Sequence, residues 1–187
     1  MAYSRLLLLL IGVISTNLPE VNTRPIDFWC NLNPKQKMME RINVMAQAQA
    51  NCSGLDVLPS PVQLPCTWIN TEWKNKPAQE KHVDVLETLQ VFQHGVRHVK
   101  NETSLQCHTS MLEGLEQSIN HLVNIVTQAY IKGDEVTSSR PSGEICGSET
   151  NFTKVVNSYK QLIKGKLHHL SVDLCLSMTQ DNKGTSS

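Results

Sequence analysis

The chain has 187 residues, with 17 basic and 17 acidic side chains, so its formal charge is zero. That balance argues against bulk nucleic-acid binding. Beyond the first twenty residues no segment approaches the eighteen or so apolar residues that a membrane span requires.

The N-terminus reads as a secretory leader: Arg5, the apolar run Leu6 to Ile14, then Ser15 and Thr16. Cleavage is expected between residues 15 and 23. About 165 residues remain, enough for one domain around one core, here residues 24–176 with a polar tail at 177–187. Six cysteines follow the leader: Cys30, Cys52, Cys66, Cys107, Cys146 and Cys175. An even number in a secreted chain points to disulfides, with fifteen possible pairings. There is no CxxC, and the spacings do not resemble a zinc site. N-glycosylation sequons lie at Asn51, Asn101 and Asn151.

The first helix is predicted to start at Asn33-Pro34-Lys35-Gln36, with Asn33 as cap and Pro34 in the first turn. Met38, Ile42, Met45 and Gln49 mark one face, to about Ala50. Residues 51–77 contain Pro59, Pro61, Pro65 and Pro77 and read as a long loop. Trp68, Ile69 and Trp73 are too apolar for a free linker, so they pack on the fold or one is displayed. The second helix begins after Pro77, with a seam of Val85, Leu89, Phe92, Val96 and Val99. His94 and His98, four apart on its far side, have the spacing of a zinc pair but no evident third ligand; a solvated face is the reading taken. After a short break at 101–106, Leu112, Leu115, Ile119, Leu122, Val126 and Ala129 mark the third helix, ending near Lys132-Gly133. A second long loop covers 133–149.

The last helix spans Phe152 to Cys175. Phe152, Val156, Tyr159, Ile163, Leu167, Leu170 and Leu174 fall on one face. Asn157, Lys160, Gln161, Lys164 and His168 share a polar arc, with Gly165 at its edge, and residues 151–172 contain no acid. Either this is a solvated basic face or it docks an acidic partner, the glycine letting that partner come close.

Four amphipathic helices imply an all-α four-helix bundle. The second helix is roughly 33 Å long, and the link at 101–106 reaches at most about 20 Å. The second and third helices are therefore antiparallel, and the two long loops are free to cross the bundle. Long, short, long loops give an up-up-down-down, long-chain bundle with two crossovers. That topology brings Cys30 to Cys175 at one end and Cys52 to Cys107 at the other. Cys66 and Cys146, one in each crossover, are left to pair.

No GxSxG, HExxH, P-loop or GxGxxG motif occurs, so an enzyme is not expected, and neither is a cofactor or metal. A secreted small-molecule carrier, which would need a cavity, and a small secreted hydrolase, which would need convergent titratable groups, remain as lower alternatives. The run Tyr159-Lys-Gln-Leu-Ile-Lys-Gly-Lys-Leu resembles the last-helix motif of the erythropoietin/thrombopoietin family of helical cytokines. Leu58-Pro-Ser-Pro-Val-Gln-Leu-Pro with Glu72-Trp73-Lys74, and Leu105-Gln-Cys-His-Thr-Ser-Met-Leu, are similar to the thrombopoietin branch. So is Cys107, where the erythropoietin branch has two closely spaced cysteines near the end of the first helix. Cys66 and Cys146 are an addition to the family pattern, and the acidic-x-basic pattern after the first cysteine is replaced by Asn31-Leu32-Asn33. The long glycosylated tail of mammalian thrombopoietins is missing after the last helix.

The resemblance implies a secreted, monomeric cytokine that brings together two chains of a class I cytokine receptor of the thrombopoietin type, signalling through Janus kinase and STAT to megakaryocytes or thrombocytes. An erythropoietin-like role is the alternative. It also implies a receptor face made of Lys160, Gln161, Lys164, Gly165, Lys166 and His168, with Trp68 or Ile69 from the first crossover.

Overall fold

The computed structural model describes residues 25–48, 57–129 and 143–184. In chain order these form α1 (Pro25–Cys30), α2 (Leu32–Ala48), β1 (Val57–Pro65), α3 (Thr71–Asn75), α4 (Ala78–Glu102) and α5 (Gln106–Thr127). Then come β2 (Ile145–Asn151), α6 (Phe152–Leu162), a π-helical turn (Ile163–Leu167) and α7 (His168–Gly184). The expected leader, Asn51, Cys52 and the expected end of the third helix near Lys132 lie outside the described residues.

The four long helices follow from the apolar steps. Val85, Leu89, Phe92, Val96 and Val99 of α4 are all fully buried, as are Leu112, Leu115, Ile119, Leu122 and Val126 of α5. The seven stepped residues of the last helix are buried too, and so are Val155 and Leu162, which the pattern omitted. The last helix is covered on more than one side, so its apolar stripe is wider than one row. Its π-helical turn fits one extra residue into the spiral, and Ile163, Lys166 and Leu167 all face inward there. At the centre the Phe92 and Tyr159 rings lie 5.6 Å apart. Burial pushes the Tyr159 phenol well above its ordinary range, opposed by a hydrogen bond with Ser118 at 3.1 Å.

Side-chain pairs set the helix directions. Between α4 and α5, Arg97 meets Glu116 and His82 meets the Val126 carbonyl, so later residues of one face earlier residues of the other. Between α4 and the last helix, Lys81 meets Asp173 and Asp84 meets Lys166. Between the α1–α2 segment and the last helix, Cys30 at the end of α1 is bonded to Cys175 and Lys35 of α2 meets Ser171. Each of these pairs is antiparallel. The first two helices therefore run one way and the last two the other, the up-up-down-down order that the loop lengths predicted.

Three local features differ from expectation. Asn31, not Asn33, supplies the cap of α2: its side chain accepts from the Asn33 N–H at 3.0 Å, and the helix already begins at Leu32. The polar tail expected from residue 177 opens as helix, since α7 continues to Gly184. The largest difference lies in the two crossovers. Read as loops, they pair as an antiparallel two-strand ribbon, with Val62 opposite Glu149, Gln63 opposite Ser148 and Leu64 opposite Gly147. Pro59 and Pro61 lack the N–H a ladder needs, and both fall between Val57 and Val62, where the register slips. Leu58 and Val62 turn into the core. β1 crosses α4 so closely that a Cβ on Gly95 would stand 2.8 Å from the Gln63 carbonyl oxygen. Glycine is required there by the close approach of two backbones.

Two disulfides match the topological pairing. Cys30–Cys175 joins the α1 end to α7 and Cys66–Cys146 joins the two crossovers, with Cα separations of 5.1 and 4.9 Å. Cys107 is not free, and its expected partner Cys52 lies outside the described residues. Cys66 and Cys146 are bonded to each other, so their sulfurs do not serve a metal. His98 contacts Glu102 at 3.3 Å across one helical turn, and both it and His94 are exposed.

Candidate functional site

The polar arc of the last helix and the first crossover meet on one side of the bundle. Gln161, Lys164 and His168 are exposed and Lys160 is half-buried. Among the described residues neither Lys160 nor Lys164 has an ion pair, and residues 151–172 of the chain contain no acid to neutralise them. The crossover lies directly across the arc: the Thr67 hydroxyl donates to Gln161 Oε1 at 3.3 Å. Asn70 then accepts from the Trp73 N–H at 2.7 Å and caps α3.

The three apolar residues of this crossover divide the possibilities left open by the sequence. Trp73 is buried and Ile69 is packed against the core. Trp68 is displayed, 59% exposed, and its indole N–H points to Cys146 Sγ at 3.4 Å.

Two predicted site residues have different surroundings from those expected. Gly165 is half-buried, and a Cβ there would stand 3.2 Å from Ile69 Cδ1 and 3.7 Å from the Thr67 carbonyl oxygen. Within the chain, the close neighbour at this glycine is the first crossover. Lys166 does not belong to the exposed arc. It is buried, with Nζ 2.8 Å from Asp84 Oδ2. Seven residues after Tyr159 and four before Leu170, it falls on the buried face of the helix, within the π-helical turn.

Lys166 belongs to a buried polar cluster that sequence reasoning missed. Its ammonium also lies 3.5 Å from the Thr88 hydroxyl and 5.9 Å from the Trp73 ring centroid. Lys81, equally buried, pairs with Asp173 at 2.7 Å and sits 5.7 Å from the same ring. Trp73 therefore has two ammonium groups near its ring and donates its indole N–H to Asp84 at 2.8 Å. Each lysine has one carboxylate, as charges withdrawn from water require. His169 packs edge-on against Trp73. Burial lowers its pKa, and His168, Lys74 and Lys81 add to that, while Asp173 opposes them. The one local signal is a lysine at an apolar-face position, three residues after Ile163 and four before Leu170; its carboxylate partner Asp84 is far away in sequence.

A family model described as erythropoietin/thrombopoietin matches residues 28–178. The chain belongs to that family. No curated protein matches it. Erythropoietin/thrombopoietin members are secreted helical cytokines, not enzymes, and they bind class I cytokine receptors. The exposed arc carries two cations with no ion pair among the described residues, and Trp68 is displayed on the crossover that meets it. Among the described residues no helix is long and apolar enough to cross a membrane.

Proposed function

We propose that this chain is a thrombopoietin-type cytokine, secreted as a monomer after loss of a leader ending between residues 15 and 23. It brings together two chains of a thrombopoietin-type class I receptor and drives megakaryocyte or thrombocyte production. Residues 24–176 form the receptor-binding domain. The observation that carries the receptor face is the exposed, unpaired arc of Lys160, Gln161, Lys164 and His168 beside the displayed Trp68. Gly165 and Ile69 support this face from beneath, and Lys166 is left out of it. Cys107 at the start of α5 supports the thrombopoietin branch over the erythropoietin one. A second receptor chain needs a second face. The groove between α2 and α5, where Lys37, Arg41, Met45 and His121 meet, supplies one. Asn101, exposed at the end of α4, and Asn151 are proposed to carry glycans, as is Asn51. A sugar on the Asn151 amide nitrogen leaves its Oδ1 free to keep capping α6 at Lys154 N, 3.1 Å away.

The test is Lys164→Glu. The fold should change by no more than about 0.5 kcal/mol. Receptor binding should weaken by about 2–5 kcal/mol, as for a broken charge pair at an interface centre. Purified protein should stimulate cells bearing the thrombopoietin receptor and not cells bearing the erythropoietin receptor. The reverse pattern rejects the branch, and full binding by the variant rejects the face.

A further inference from the structure

The Cys66–Cys146 bridge is absent from the family pattern, and the helical core does not depend on it for closure. The helix ends are joined by Cys30–Cys175, and the core is filled by residues of the four long helices with Leu58 and Val62 from β1. What the bridge does touch is the receptor side of the first crossover. Strand pairing runs to Pro65 opposite Ile145, and the Cys66 N–H then donates to the Glu144 carbonyl at 3.1 Å. The ladder and the bridge thus end together, directly before Thr67 and Trp68. Cys66 is buried and Cys146 is exposed, so the bond crosses from the bundle to the surface at that point. The Trp68 indole, more than half exposed, lies with its N–H 3.4 Å from Cys146 Sγ.

We propose that the Cys66–Cys146 bridge is a positioning element for receptor binding, which holds Trp68 in its binding pose by giving the indole a fixed sulfur to lie against. This rests on the receptor face proposed above. An exposed tryptophan on an irregular segment otherwise samples several rotamers, and ordering it on contact weakens binding. A bridge that orders it beforehand removes that cost without adding any contact to the partner. The partner's counterpart is an apolar recess beside acidic side chains, which suits one aromatic ring on a crossover that meets a basic arc.

The experiment is a double-mutant cycle on the full chain. Cys66→Ala/Cys146→Ala is combined with Trp68→Ala, and affinity for immobilised receptor is measured well below each variant's melting temperature. Removing the bridge should weaken binding about three- to tenfold, the usual cost of ordering one large side chain. Trp68→Ala should cost tenfold or more in the parent, and threefold or less once the bridge is gone, because the two act as one unit. Equal costs in both backgrounds, or unchanged affinity without the bridge, overturn the inference. Lys164→Glu in the parent separates the two readings. If it has no effect, the receptor face itself is wrong. If it weakens binding while bridge removal does not, only the positioning role is wrong. Should the bridge-free chain fail to fold, Trp68→Phe with the bridge intact replaces it. That change keeps a ring and deletes the N–H facing Cys146 Sγ. A threefold or larger loss supports the inference, and parental affinity overturns it.

Discussion

Lys164 and Lys166 are two residues apart, yet they should report different properties when changed. Lys166→Ala removes an ammonium whose partners are Asp84 at 2.8 Å and Thr88 at 3.5 Å, together with a buried aliphatic stem. Breaking a buried pair by removing one partner costs about 3–5 kcal/mol. Here Asp84 keeps the Trp73 N–H at 2.8 Å, and its side chain is 30% exposed, so water reaches the orphaned carboxylate. That places the ion-pair part at or below the lower end of the range. Loss of the cation over the Trp73 ring adds about 0.5–1 kcal/mol. The sum is about 2–4 kcal/mol. For a domain of this size each kcal/mol shifts Tm by about 2–4 °C, so melting should fall by roughly 4–16 °C. The assay is thermal unfolding by circular dichroism beside receptor binding at a temperature where both proteins are folded. Binding should stay within a few-fold of the parent, since the side chain is covered. A Tm within about 2 °C of the parent, combined with a large loss of affinity, would refute the inward placement of Lys166 and return it to the receptor face.

Gly165→Ala should change stability little, because the roughly 1 kcal/mol gained in helix propensity is offset by displacing Ile69 Cδ1, 3.2 Å from the new Cβ. Its affinity should drop several-fold as Ile69 shifts the crossover next to Trp68; titration against receptor with a parallel melt distinguishes this from an inert surface glycine. Gly95→Ala meets a backbone oxygen at 2.8 Å instead of a flexible side-chain tip, so it should cost about 1–3 kcal/mol by denaturant unfolding; a stabilised variant would mean that β1 does not lie on α4 as described. Glu116→Gln tests the α4–α5 charge cluster. Burial alone would raise the Glu116 pKa, yet hydrogen bonds from Lys100 and Arg97 and their charges hold it below its ordinary value of 4.5. A depressed carboxylate contributes stability above its unfolded pKa and loses it as pH falls through the folded one. The variant should therefore be less stable by about 1–2 kcal/mol at pH 7, a figure reduced because Arg97 is half exposed. The gap should close below about pH 4.5; a gap that widens on acidification would contradict the sign.

Local periodicity and chain length carried much of this protein. The three-four steps in α4, α5 and the last helix predicted their buried faces because one side of each helix must leave water, a requirement visible in a short window of sequence. The short link between α4 and α5 set their opposite directions because a chain cannot reach further than its contour length. With helix polarity known, the cysteines at the helix ends identified Cys30–Cys175. The last-helix motif was enough to indicate the family, and its polar arc did place Gln161, Lys164 and His168 in water.

What the sequence could not show were the outcomes that depend on residues distant along the chain. The ribbon between β1 and β2 arises from two segments that each look like loops, and neither has a ladder partner until the bundle brings them together. Lys166 resembles Lys164 in type and local neighbourhood. One is buried and the other free because Lys166 falls on the core side of the helix, where a carboxylate on α4 and the face of Trp73 receive it. Gly165 is small because of Ile69 and Gly95 because of Gln63, close approaches that no helix pattern encodes. Sequence periodicity specifies which side of a helix avoids water. Only the tertiary fold specifies what meets that side, and an ammonium can be buried only where a distant carboxylate is brought to it.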